Sequence, residues 1–362
     1  MGNKSSAENR TKKITKQVLQ LLLFLGIGIF FVWLSVKDLT SEDWEMIRES
    51  ASSVNNPRSW TFLMLSLIAG ALAHFFRALR SILLLEPLGY KVRTSMSFYA
   101  VMVCYLANLA FPRLGEVLRP TFLQRYERVP FQKSLGTIVT ERALDMIIWV
   151  VLMLVIILLN STILSDLIVD KENGLSLGMW FQEKGNDMLT NHFLYIIVAV
   201  VIILAIVIWM TRKKWGKIPF FVKIKHFFID MWHGLISIKD LKNPLLFIFY
   251  TLMIWVAYFL GTYLCFFAFD FLSDLGLLAA FTVLVVGSIG FMIAQGGLGA
   301  YPWIVANVLV LYKIDLGAGL AAGWIGWTVQ TAMILIFGFA SLILASLTSR
   351  KEKRNLSVNS EQ

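Results

Sequence analysis

Six runs of almost unbroken apolar sequence, near 17–36, 60–80, 134–159, 192–210, 244–268 and 317–347, decide what this chain can become. Each has roughly the length of about 20 residues that a helix needs to cross the hydrocarbon core of a bilayer. Inside that core every backbone N–H and C=O must be paired within the protein, and long apolar runs without alternation select helices over barrel strands. The expected fold is an all-α polytopic membrane protein with about six spanning helices. Composition agrees, since 15% of the 362 residues are charged and a soluble domain carries about a quarter. The first run follows a basic, polar stretch and has no small-residue cleavage site, so it reads as a retained helix and not a removed signal peptide.

The net charge of +10 acquires meaning only by position. Residues 1–16, 77–94, 113–133, 211–243 and 348–362 together hold 26 Lys and Arg against 8 Asp and Glu. The alternating segments 37–59, 160–191, 270–274 and 313–316 hold 6 against 13. Basic loops stay in the cytoplasm, so the expectation is a multi-pass protein of the inner (cytoplasmic) membrane with both termini cytoplasmic. Topology and attraction to anionic lipid then account for the basic excess, and no nucleic-acid partner is expected. The domain plan is a cytoplasmic tail 1–16, a single membrane domain 17–347 with a polar outer loop at 160–191, and a cytoplasmic tail 348–362. Between 218 and 240, Phe220, Ile224, Phe227, Phe228, Met231, Leu235 and Ile238 recur every three or four residues among charged ones, the pattern of a helix lying in the membrane interface. Cys104 and Cys265 sit inside apolar runs and the four histidines have no ligand spacing. Neither a disulfide framework nor a metal or other cofactor is expected.

Two further apolar stretches do not fit a simple alternation of spans. Ser95 to Phe111 runs into Pro112, Arg113 and Glu116, and the return segment carries Arg119, Arg125, Arg128 and Lys133. Charge of that density does not cross hydrocarbon exposed to lipid, whereas a helix that enters, breaks and returns can shelter it in protein. Gly276 to Ala294 is likewise apolar until Gln295, Gly296, Gly297, Leu298 and Gly299 interrupt it. The segment Trp303 to Tyr312 that remains rises only about 15 Å. Both stretches are expected to be re-entrant broken hairpins, the first open to the cytoplasm and the second to the exterior. With a spanning helix on either side of each, the halves 60–159 and 244–347 form an inverted repeat, the plan of many secondary transporters. Pro112 and Pro302 would each occupy the first position of a return helix, and the positive helix ends would face the middle of the membrane.

The candidate site residues are the charges that hydrocarbon should exclude, together with the glycines of the second break. Arg113, Glu116 and Arg119 lie three apart, on roughly one face of a helical turn, and a guanidinium fork matches phosphate oxygens. Pro120 is expected to end or kink that helix. The competing reading is an ion-pair cluster that merely closes the hairpin. Glu141, Arg142 and Asp145 fall two turns into the third span; Glu141 and Asp145, at i and i+4, share a face and need a cation or a proton between them. They serve either as a lock between hairpin and helix or as coupling groups. His74, Arg77 and Arg80 end the second span and read chiefly as snorkelling anchors, with a docking point for lipid phosphates as the lesser reading. Gly296, Gly297 and Gly299 permit close backbone approach, either to cradle a phosphate or to make a tight turn. Gly319, Gly323 and Gly326 in the last span are expected to pack helices. No P-loop, nucleophile elbow or metal constellation occurs, so the chain is not expected to be an enzyme or to be driven by ATP.

The succession Arg113, Leu114, Gly115, Glu116, Val117, Leu118, Arg119, then Glu141, Arg142, Ala143, Leu144, Asp145, then Gly296, Gly297, Leu298, Gly299 resembles the flippase-like transmembrane family of the lysylphosphatidylglycerol synthases. Each motif alone is weak; their order and spacing, over roughly residues 15–347, carry the resemblance. It implies a membrane region that moves lipids, including aminoacylated phosphatidylglycerol, between leaflets. Two departures stand out. The family's glycine loop is often followed three residues on by a glutamate, and here that position is Pro302. The bifunctional members also carry a soluble domain that uses aminoacyl-tRNA, and the 15 residues after Leu347 are expected to hold no such half.

Together these readings lead to an integral membrane lipid transporter or flippase. It would move an anionic or aminoacylated phospholipid, or a polyprenyl-phosphate-type lipid, between leaflets without ATP, with the anionic lipid head group as its partner. The alternative is a lipid-binding membrane scaffold, working as a homo-oligomer or as the assembly partner of an envelope-lipid enzyme.

Overall fold

The computed structural model describes residue 26 and residues 28–37, 39–159 and 241–360. The expected outer loop 160–191, the span at 192–210 and the interfacial helix 218–240 lie outside the described residues, as does most of the first half of the span at 17–36. In chain order the helices are α1 (28–36), α2 (Ser41–Ser53), α3 (Pro57–Leu85), α4 (Thr94–Ala110), α5 (Leu114–Glu127), α6 (Phe131–Leu159), α7 (Pro244–Phe266), α8 (Leu277–Ile293), α9 (Ala300–Val310) and α10 (Leu316–Ser360). There is no strand among the described residues. Four stretches, Pro57–Leu88, Phe131–Leu159, Pro244–Phe266 and Leu316–Thr348, are long and apolar enough to span a bilayer, at 32, 29, 23 and 33 residues. The chain is therefore a helical polytopic membrane protein. Its compact units are residues 1–138 with 239–362, and residues 139–238.

Local sequence sets the helix ends. Thr40 caps α2 in a reciprocal box, its hydroxyl accepting from the Asp43 N–H while the Asp43 carboxylate accepts from the Thr40 N–H at 2.8 Å. Asn56 accepts from the Ser59 N–H ahead of α3, and Pro57 and Pro244 fill the first positions of α3 and α7.

In the first unit, α3 and α7 lie antiparallel. The Ser59 hydroxyl donates to the Ala268 carbonyl at 2.6 Å, Ser66 donates to Gly261 at 2.7 Å, and an Arg77 guanidinium nitrogen donates to the Tyr258 hydroxyl at 3.3 Å. This pairing defines two ends of the bundle, a Pro57 end and a Leu85 end. From the Leu85 end the chain enters α4, whose 17 residues rise about 25 Å. It breaks at Phe111 to Arg113 and returns along α5, and an ion pair between Arg93 Nε and Glu127 Oε1 at 2.8 Å ties the two arms at their mouth. From the Pro57 end it enters α8, also 17 residues, breaks at Ala294 to Gly299 and returns along α9. A hydrogen bond of 2.9 Å between the Thr282 and Tyr312 hydroxyls joins those arms nearer their mouth. The two hairpins enter from opposite ends and meet tip to tip: Gln295 Nε2 donates to the Leu109 carbonyl at 2.9 Å.

Helix α10 runs alongside both. Gly317 lies under the Asp43 backbone at one end, Gly338 faces Leu106 further along, and Ala345 is buried in the core of the other. A methyl group on Gly323 or Gly319 would meet Pro302 or Ala306 of α9 at 2.8 and 3.1 Å, so these glycines do let helices approach. The core divides in the same way. One cluster around Phe269, Leu272, Ala280 and Leu309 fills the Pro57 end, and another around Leu85, Met96, Ala100 and Leu123 fills the Leu85 end.

Two proline expectations are corrected and one of two alternatives is decided for a third. Pro112 stands before the return helix, because Arg113 takes the left-handed conformation at φ 60° and the helix begins only at Leu114. Pro302 is the third residue of α9, still inside the first turn, where an N–H has no helical acceptor to lose. Pro120 does not end α5, which continues to Glu127; Phe122 and Leu123 just beyond it are anchored in the core against α4, and this packing outweighs the one lost backbone bond.

Candidate functional site

The break in the first hairpin is built by close packing. Gly115 sits so near α4 that a methyl group there would overlap the Cys104 carbonyl, and its N–H donates to the Asn108 side chain at 2.8 Å. Arg113 caps α5 from an exposed position, while Arg119, inside the helix, is 3% exposed. Glu116 is half-buried between them. Glu116 and Arg119 share a face as expected of i and i+3 neighbours; Arg113, outside the helix, is not positioned by that periodicity. Pro120 leaves the Glu116 carbonyl without its usual helical donor.

The second break depends on its glycines. Gly296, Gly297 and Gly299 have φ of 61, 73 and 69°, conformations that a side chain would strain. The N–H groups of Gly297, Leu298 and Ala300 are engaged with carbonyls inside the loop itself, so the turn consumes donors that a phosphate cradle would need. The Gly296 carbonyl accepts from the Trp327 indole N–H at 2.7 Å, and a methyl group on Gly296 would meet Leu109 at 2.9 Å. The second tip is thus held between α10 and the first tip. Gln295 is the connecting residue that sequence reasoning passed over. Its amide nitrogen must face the Leu109 carbonyl, so its oxygen points the other way, buried and without a hydrogen bond.

Glu141, Arg142 and Asp145 stand on α6 within the second unit. Glu141 is 1% exposed, and Arg142 and Asp145 are half-buried. A fully buried carboxylate in an apolar helix needs a cation, a proton or several donors.

The largest departure from the sequence reading is on α3. His74, Arg77 and Arg80 do not reach out as snorkelling anchors; they are 3, 6 and 0% exposed. The helix runs on through Ile82 to Leu85, which keeps them inside the bundle. Around them are aromatic rings. His74 lies 4.2 Å from the Tyr105 ring, Arg77 is 5.8 Å from the same ring, and Arg80 is 5.9 Å from the Phe247 ring. The signal available in the sequence was the apolar run Ile82 to Leu85 after the arginines, which shows that the helix had not ended.

Residues 17–338 match the model of one protein family, described as "Lysylphosphatidylglycerol synthase TM region". No curated protein and no solved structure matches the chain.

Proposed function

From the premise that this chain belongs to the lysylphosphatidylglycerol synthase TM family, and is thereby a membrane protein of lipid metabolism or transport, we propose that it moves an anionic phospholipid or polyprenyl-phosphate-type lipid between leaflets without ATP. The observation that carries the reading is the meeting of two broken-helix hairpins from opposite ends, with the buried cation Arg119 on the arm of one of them. Such broken helices place polar backbone and charge at bilayer depth, where a spanning helix would present only apolar side chains. In this reading Arg113 and Arg119 hold the head-group phosphate and Glu116 balances its charge; within the second unit, Glu141 and Asp145, beside Arg142, carry a coupled proton. Gly296, Gly297 and Gly299 line the opposite side. The two hairpin-bearing halves work as an inverted repeat, one rocking against the other across the tip contact. The protein resides in the inner membrane with the Leu85 end toward the cytoplasm, as the basic residues Lys91, Arg125 and Arg128 near that end favour.

The test is leaflet exchange of labelled phosphatidylglycerol in vesicles holding the purified protein. Wild type accelerates exchange above protein-free vesicles, and Arg119→Gln or Arg113→Ala removes most of the gain. If no anionic lipid exchanges faster with wild type, while lipid remains bound in fixed ratio to the protein, the scaffold reading replaces this one.

A further inference from the structure

A cavity of about 30 Å³ lies in the Pro57 half of the first unit, where α3, α7, α8, α9 and α10 come together. Phe266, Val305 and Leu309 make much of its wall apolar, but the Tyr301 hydroxyl of α9, the Gln330 amide of α10 and the Cys265 thiol of α7 line the same space. Two glycines make room for the amide. A methyl group on Gly70 of α3 would stand 3.0 Å from Gln330 Oε1, and one on Gly261 of α7 would stand 3.8 Å from Gln330 Nε2. Gly326 of α10 faces the other polar groups: a methyl group there would lie 3.7 Å from the Tyr301 hydroxyl oxygen and 3.8 Å from Cys265 Sγ, ordinary contact distances. Among the described residues neither the Tyr301 hydroxyl nor the Gln330 amide has a hydrogen-bond partner. The Ser66 and Thr262 hydroxyls, also on the wall, already donate to the Gly261 and Tyr258 carbonyls at 2.7 and 3.2 Å, and each can still accept.

A phenol hydroxyl and an amide enclosed among apolar side chains are costly unless hydrogen-bonded, and cavities that stay dry are lined by apolar groups alone. We propose that this cavity binds water, about two molecules by its volume, which bridge the Tyr301 hydroxyl to the Gln330 amide. Tyr301, Gln330, Ser66 and Thr262 supply the several polar partners that each buried water needs. An ion or a whole lipid head group does not fit, because the lining carries no formal charge and the space takes about two water-sized groups. The bridge joins α9, the return arm of the second hairpin, to α10 through water instead of direct side-chain contact. A water-mediated bond is nearly as favourable as a direct one, and a water follows its partners as they shift. Helix α9 can then move against its neighbours without stranding a buried polar group. The site stands whether the chain moves lipid or only holds it.

The experiment builds a methyl group into the cavity and follows the unfolding midpoint of the full chain in detergent. Alanine is the better helix former, so Gly326→Ala would stabilise a dry cavity by filling it. In the hydrated cavity the methyl group displaces a water and strands the Tyr301 hydroxyl, and the midpoint falls by roughly 2–4 °C. In the Tyr301→Phe background, where no hydroxyl waits for a partner, Gly326→Ala raises the midpoint instead. An equal rise in both backgrounds means a dry void and an equal fall means crowding; either result overturns the site. X-ray radiolysis, which oxidises side chains beside bound water, checks the wild type directly. Tyr301 is oxidised several-fold faster than Met96, a fully buried residue of the other core cluster, and a rate no higher than that of Met96 overturns the proposal.

Discussion

Gly115 and Asp43 show how much a single residue decides in this chain. At Gly115 the helix backbones of the first hairpin touch, so Gly115→Ala must push α5 off α4 against the Cys104 carbonyl. The expected cost is about 3 kcal/mol, at the upper end for overpacking against backbone that cannot yield, seen as a clear fall in the unfolding midpoint. Gly136→Ala, where an added methyl group meets nothing within 4 Å, should instead stabilise by about 0.5–1 kcal/mol through helix propensity. At Asp43 the Thr40 backbone and side-chain hydrogen bonds hold the carboxyl below its ordinary pKa. A depressed folded pKa contributes stability above the unfolded value that is lost as pH falls through the folded one. The protection of first-turn amides of α2, measured as exchange relative to the intrinsic rate at each pH, should therefore fall as the medium is acidified below about pH 4, and Thr40→Ala should flatten that dependence. The α3 arginines mark where residue-level reading went astray. A cation near the end of an apolar run looks the same in sequence whether it snorkels or is enclosed, and only neighbours from α4 and α7, distant in sequence, decide between the two.

Among the elements, the hairpins were the most legible. The expected arms Ser95 to Phe111 and Gly276 to Ala294 coincide with α4 and α8 to within a residue or two at each end, because proline, glycine and arginine cut apolar runs sharply. The tips were not legible, since their form depends on what they touch. Arg113 alone adopts the left-handed conformation after Pro112, and Gln295 reaches across to a backbone carbonyl that no pattern marks. Gln295→Leu removes one hydrogen bond and at the same time one buried acceptor without a donor. The unfolding midpoint should then move by no more than about 1 kcal/mol in stability, while hydrogen exchange in residues 109–115 speeds several-fold. A large loss of stability would show that the tip contact props up the whole bundle.

At the scale of the molecule, the charge arithmetic survives the structure. Removing the enclosed Arg77, Arg80 and Arg119 from the loop count leaves 23 Lys and Arg against 8 Asp and Glu on the basic side, so orientation is still favoured in the same sense. If the hairpins open to opposite faces of the membrane, Lys91→Cys beside the mouth of the first should react with an impermeant thiol reagent only from the cytoplasmic side. Asp274→Cys beside the mouth of the second should react only from outside. Labelling of both from one side would refute the arrangement. The tip contact also has a genetic consequence. Gln295 and Trp327 each bind a backbone carbonyl, of Leu109 and Gly296, so neither contact has a side-chain counterpart with which to covary. In a saturation mutagenesis map position 109 should accept most apolar substitutions while positions 295 and 327 tolerate few, and pairwise epistasis between 109 and 295 should be close to nil although the two residues touch.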